Sequence, residues 1–120
     1  MVKVKRHGVL LEPSKNSFES KGVFNPACIR KDDEVYMYYR AWDKDERSTI
    51  GFAKLDGPLK VVERLDKPFI GQNANYEYSL EDPRIVLLNG VYYLTYIAYD
   101  GKNVRIAYAV SKDLKKFTKK

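Results

Sequence analysis

The chain has 120 residues and a net charge of +6, with 44% hydrophobic residues and 13% aromatics, ten of the latter being tyrosine. That length fits one domain or a piece of one, and no apolar run is long enough for a transmembrane helix. The positive charge is scattered rather than striped, which argues against a nucleic-acid surface. Its densest cluster, Lys112 to Lys120, reads as a solvated tail.

The N-terminus, Met1-Val2-Lys3-Val4-Lys5-Arg6, has no apolar core behind its charges and does not read as a signal peptide. His7, the only histidine, lies in this segment and leaves no basis for a histidine triad or a zinc site. Val9 to Pro13 reads as a short edge strand closed by proline, and residues 14–22 have loop composition. A strand is expected over Phe24 to Arg30, then a two-residue turn at Asp32-Asp33, then a strand over Val35 to Trp42 that is apolar on both faces. Cys28, the single cysteine, excludes an internal disulfide and suits a reducing cytoplasm. Its place inside an apolar strand predicts a packing role. Two more strands follow, Thr49 to Leu55 and Leu59 to Glu63, separated by a turn at Asp56-Gly57-Pro58.

The same order then recurs. Asp82-Pro83 falls on Asn25-Pro26 at an offset of 57, and Tyr36, Tyr39, Ala41 and Asp43 land on Tyr93, Tyr96, Ala98 and Asp100. One residue shorter, Ile50-Gly51-Phe52-Ala53 meets Ile106-Ala107-Tyr108-Ala109. Phe69-Ile70 likewise matches Leu10-Leu11. Asn89-Gly90, between two apolar runs, predicts a type I′ hairpin turn. No segment keeps a helical period. A repeat of this length with four short strands per unit is the mark of a β-propeller blade. The expectation is therefore an all-β chain of about two four-stranded antiparallel blades, a partial propeller, with units of roughly 9–64 and 66–120. A β-sandwich is the alternative.

The stretch Glu81-Asp82-Pro83-Arg84 sets two acids and an arginine before the apolar run Ile85 to Leu88. Charges at the mouth of a buried strand are costly unless paired or put to use. One reading is a local ion pair of Arg84 with Glu81 or Asp82. The other is a site. Hairpin counting from Asp32-Asp33 sets Asn25 opposite Arg40, and counting from Asn89-Gly90 sets Asp82 opposite Ile97 and Arg84 opposite Thr95. First strands line the channel of a propeller, so Asn25 and Asp82 are equivalent positions on adjacent blades with Arg40 beside them. Arg40 could instead serve a structural ion pair, to Glu19 or Asp43. Trp42 and the tyrosines read mainly as core between blades.

These residues resemble glycoside hydrolase family 130, the β-mannoside phosphorylases and mannosidases built on a five-bladed β-propeller. The resemblance rests on Gly-Val-Phe-Asn-Pro-Ala (Gly22 to Ala27), Tyr-Arg-Ala with a following acid (Tyr39 to Asp43), Ser48 to Ala53, Glu81 to Arg84, and Tyr92 to Tyr96. It runs from about Val9 to the end. It implies that Asp82 is the general acid, that Asn25 and Arg40 hold the mannosyl unit, and that Asp43 and Arg84 are supporting contacts. It implies no cofactor, with inorganic phosphate as co-substrate in a phosphorylase and water as nucleophile in a hydrolase.

Two repeats fall short of the family's five blades, and the residues that grip phosphate there come from later blades. The expected partner is a β-mannoside or other oligosaccharide, with no nucleic acid and no membrane. Two blades cannot close a ring, and Tyr36, Met37, Tyr38, Tyr93, Leu94 and Tyr96 would lie on free faces. The chain is therefore expected to form a homo-oligomer or to need a partner chain that supplies the missing blades. A non-catalytic carbohydrate-binding or assembly module is the alternative function.

Overall fold

A computed structural model of the protein describes residues 1–72 and 77–120. Among these described residues eight strands form two four-stranded antiparallel sheets, each a simple meander. The first holds β1 (Gly22–Lys31), β2 (Glu34–Trp42), β3 (Ser48–Asp56) and β4 (Lys60–Arg64). The second holds β5 (Ser79–Leu88), β6 (Val91–Tyr99), β7 (Val104–Ser111) and β8 (Thr118–Lys119). A 3-10 turn at Ser17–Glu19 precedes them. Among the described residues no helix is long and apolar enough to cross a membrane.

The hairpins form where the turn chemistry asks for them. Asn89 and Gly90 both have positive φ, 49° and 76°, as a type I′ turn requires, and Asp32 takes φ 57°. Counting from these turns holds for half of each ladder and then slips. Lys31 pairs with Glu34 and Ala27 with Tyr38, but the partner of Arg40 is Phe24, not Asn25. Arg84 pairs with Thr95 as counted, whereas the partner of Ile97 is Glu81, not Asp82. Each first strand carries a β-bulge at its Asn-Pro or Asp-Pro. Proline has no N–H to give the ladder, and Asn25 and Asp82 both sit at φ 50°, a left-handed conformation that short polar side chains tolerate. The bulge turns both side chains out of the strand's alternation.

Alternation along β2 sorts its residues between two cores. Tyr36 and Tyr38, with Ile50 and Phe52 of β3 beside them, face the second sheet, where they meet Leu80, Leu94 and Tyr96, with Ile70 in the same cluster. Met37, Tyr39 and Ala41 face the opposite way and pack with Phe18, Ala53 and Leu55, with Leu11 and Val23 alongside. The predicted free faces of Tyr36, Met37, Tyr38, Leu94 and Tyr96 are thus buried. The sheets cover each other, and the N-terminal segment covers the first sheet's outer side. Val9 to Pro13 does this without forming the expected strand, because Leu11 docks by its side chain and its backbone finds no ladder. Cys28, expected to pack, is exposed on the edge strand β1. Between the sheets, Phe69 sits 5.3 Å from both Tyr38 and Phe52, and Ile70 bridges to Ile50. The Tyr38 hydroxyl donates to the Leu114 carbonyl at 2.7 Å, tying the first sheet to the loop after β7.

Candidate functional site

The two bulges lie side by side because β1 packs along β5. Asn25 Nδ2 donates to Asp82 Oδ1 at 2.5 Å, across the junction of the sheets. Arg40, next to the first bulge, is held from three directions. Its Nε donates to Ser48 Oγ at 2.7 Å, its Nη2 lies 3.1 Å from Glu81 Oε1, and its guanidinium rests over the Phe24 ring at 4.9 Å. The buried Ser48 backbone N–H in turn donates to Ser79 Oγ at 3.0 Å. Three polar links, Asn25–Asp82, Arg40–Glu81 and Ser48–Ser79, therefore join the sheets at one end.

The ion pair of Arg40 is with Glu81 rather than Glu19 or Asp43, and strand alternation is the reason. Tyr39 and Arg40 point to opposite faces. Glu19 lies on the Tyr39 side, where it accepts from the Tyr39 hydroxyl at 2.7 Å and pairs with Arg64 at 3.1 Å. Burial first, and then the Glu19 carboxylate, push the Tyr39 hydroxyl well above its usual range.

Asp43 sits in the loop after β2, where its Oδ1 accepts from the backbone N–H groups of Asp45 and Arg47 at 2.9 and 3.0 Å. Asp100 caps the corresponding loop of the second sheet in the same way, through Lys102 and Asn103. Those N–H groups hold the Asp100 carboxyl below the ordinary range. The Arg84 side chain is exposed, and its Nη1 donates to the Pro83 carbonyl at 2.8 Å. Among the described residues no ion pair joins it to Glu81 or Asp82. The structure thus brings Asn25, Arg40 and Asp82 together and leaves Asp43 and Arg84 in their own local settings.

Sequence reasoning overlooked Glu81, Ser48 and Ser79 as parts of this cluster. Glu81 had a signal, since a strand count corrected for the proline bulge sets it, and not Asp82, within the ladder. The serines had none, because the link between them, from the Ser48 N–H to Ser79 Oγ, crosses between the sheets. At the same end Trp42 lies edge-on to Phe24 with ring centres 6.0 Å apart, and Lys21 sits over it at 4.5 Å. Chemically, the cluster offers a carboxyl group steadied by an amide, with a fixed guanidinium alongside. Such a set can donate a proton and hold hydroxyl groups, and it contains no metal-ligating group of three among the described residues.

Two packed four-stranded meanders, whose bulged first strands meet at one end of the junction, are blades of a β-propeller. The sequence profile of glycoside hydrolase family 130, described as beta-1,4-mannooligosaccharide phosphorylase, matches residues 5–120, and the chain belongs to that family. It is 34% identical to a 1,2-beta-oligomannan phosphorylase of Thermoanaerobacter sp. (strain X514), over 95% of this chain and 43% of the relative. It is 32% identical to a beta-1,2-mannobiose phosphorylase of the same strain, over 88% of this chain and 41% of the relative. A crystal structure of a glycosyl hydrolase from Bacteroides ovatus superimposes with a TM-score of 0.81 at 27% identity, over 92% of this chain and 38% of that one. The chain spans about two-fifths of the length of the relatives it matches.

Proposed function

We propose that this chain carries the proton donor and the sugar-holding residues of a site that cleaves β-mannosidic bonds. Asp82 acts as general acid and protonates the departing glycosidic oxygen, directly or through a sugar hydroxyl. Asn25 holds the Asp82 carboxyl in place through its amide. Arg40, steadied by Glu81, Ser48 and Phe24, donates to hydroxyls of the mannosyl unit. Asp43 and Arg84 give supporting contacts from the rim. Phosphate or water takes the sugar, with no cofactor, and further blades complete the ring. The observation that carries this reading is the hydrogen bond between Asn25 and Asp82 beside Arg40.

The test is phosphate consumption and mannose release on β-1,2- and β-1,4-mannobiose, paired with calorimetric binding of both sugars. Asp82→Asn is expected to lower turnover by about 10²–10⁴-fold, the usual worth of a general acid, with little change in melting temperature or binding. Unfolding of Asp82→Asn with turnover unchanged in what remains folded would mean that Asp82 is only a structural link. A carbohydrate-binding or assembly module is the second reading, favoured by the exposed apolar side chains Val86, Ile106 and Tyr108 on the second sheet. Mannobiose binding that needs Arg40, with no turnover of either sugar, would establish it instead.

A further inference from the structure

The two units repeat each other along their cores and part company beside the bulges. At the offsets of the repeat, Tyr39 and Ala41 recur as Tyr96 and Ala98, but Gly22, Phe24, Arg40 and Ser48 become Ser79, Glu81, Ile97 and Val104. The ladders bear out each equivalence. Trp42 pairs with Gly22 and Ser48 as Tyr99 pairs with Ser79 and Val104, and Phe24 pairs with Arg40 as Glu81 pairs with Ile97. In each of the four exchanges one member carries a polar side chain and the other does not.

The four polar members, Arg40, Ser48, Ser79 and Glu81, come from different units and close a ring across the junction. Ser79 Oγ on β5 accepts from the Ser48 N–H at 3.0 Å, and Ser48 Oγ on β3 accepts from Arg40 Nε at 2.7 Å. Arg40 Nη2 on β2 then returns to Glu81 Oε1 on β5 at 3.1 Å. Ser48 and Ser79 are buried, so water does not take the place of either. The Arg40 side chain keeps 19% of its surface exposed, and its Nη1 has no partner among the described residues.

We propose that Ser79 is a positioning residue for Arg40, acting through Ser48 without touching the guanidinium. The proposal rests on the reading of Arg40 as a sugar-holding group. Ser79 fixes the start of β3 against β5 by taking the Ser48 N–H. Ser48 Oγ then fixes Nε while Glu81 fixes Nη2, and a planar group anchored at two corners presents Nη1 in one direction. Without the Ser79 hydroxyl, a buried N–H loses its acceptor and the start of β3 moves to find another. Arg40 is then left with the single ion pair to Glu81, which does not set the plane of the guanidinium. The ring begins and ends on the strand that carries Asp82, so it also ties the sugar-holding donor to the strand of the proton donor.

The experiment uses the full chain and follows the Arg40 Nε–H by nitrogen-15 NMR, which needs neither sugar nor turnover. Ser79→Ala should speed exchange of that proton by about tenfold or more, while the amides of Val35 and Leu55 at the far end of the same sheet keep their protection. Mannobiose binding by calorimetry should weaken by roughly three- to tenfold, the worth of one hydrogen bond. Ser79→Thr keeps the hydroxyl and should restore both readings. Ser79→Cys, a weaker acceptor in the same space, should give an intermediate exchange rate and carries the comparison where Ser79→Ala fails to fold. Arg40 exchange unchanged in Ser79→Ala or, in its place, Ser79→Cys overturns the proposal. Faster exchange with mannobiose binding unchanged overturns it too, since Arg40 would then need no positioning. A parent chain that binds no mannobiose counts against the mannoside reading, and the exchange comparison alone then decides whether Ser79 positions Arg40.

Discussion

Glu19 is fully buried, and its environment explains how an acid survives there. Its carboxylate accepts from Ser14 Oγ at 2.5 Å and Tyr39 Oη at 2.7 Å and pairs with Arg64. The second sheet repeats the arrangement with Glu77, which pairs with Lys119 at 2.5 Å and lies 3.5 Å from the Tyr96 hydroxyl. Removing one member strands the others away from water. Glu19→Gln should destabilise by about 2–3 kcal/mol, the low end of the range because Arg64 is partly solvated. Chemical denaturation measures it, and Arg64→Met in the Glu19→Gln background should recover part of the loss. Asp113 gives a second test at this scale. The backbone N–H groups of Lys116 and Lys115, and then Ser111, hold its carboxyl down to about 2. A depressed folded value means its contribution is present above the unfolded value and lost as pH falls. Melting temperature should therefore drop between roughly pH 4 and pH 2, and Asp113→Asn should flatten that part of the profile.

Single strands depend on the fit of paired residues. Gly51 lies opposite Tyr39 in the β2–β3 ladder, and a Cβ built on it would come within 2.4 Å of the Tyr39 ring. The ring lies across the bare backbone. Its counterpart at the second sheet, Ala107 opposite Tyr96, has a methyl there. Gly51→Ala should thus be overpacked, costing about 1–3 kcal/mol by thermal or urea unfolding despite the favourable change in chain entropy. A neutral or stabilising result would mean that Tyr39 moves aside freely. The bulges are the other element-scale device. Each breaks a strand's alternation at one point, so a polar residue leaves the ladder for the opening without disturbing the apolar pairs that follow.

The two sheets hold together through a shared aromatic cluster. Phe69, from the connection between them, contacts Tyr38, Phe52 and Phe117 with ring centres 5.3–5.8 Å apart. Phe69→Ala should lower stability by about 2–4 kcal/mol, somewhat less than for a fully buried phenylalanine. It should also weaken the links at the site end, so mannobiose binding should fall along with the melting temperature. A normal melt with binding lost would place Phe69 at the sugar rather than at the junction.

The sequence by itself determined the repeat, the strands other than Val9 to Pro13 and the turn at Asn89-Gly90, and it set Asn25 and Asp82 at equivalent positions of the two units. Each depends on neighbours along the chain or on spacing, and local chemistry dictates both. Arg84 opposite Thr95 was within reach of counting because no proline lies between it and the turn. Beyond the prolines the count failed, since a ladder that loses an N–H slips by one residue and no composition records the slip. Only the tertiary structure decided that Arg40 pairs with Glu81, that Leu11 and Phe18 cover the first sheet, and that Val86, Ile106 and Tyr108 of the second stay exposed. Those outcomes depend on which surfaces meet, and the free energy of burial goes to whichever side chains the neighbouring sheet or segment reaches.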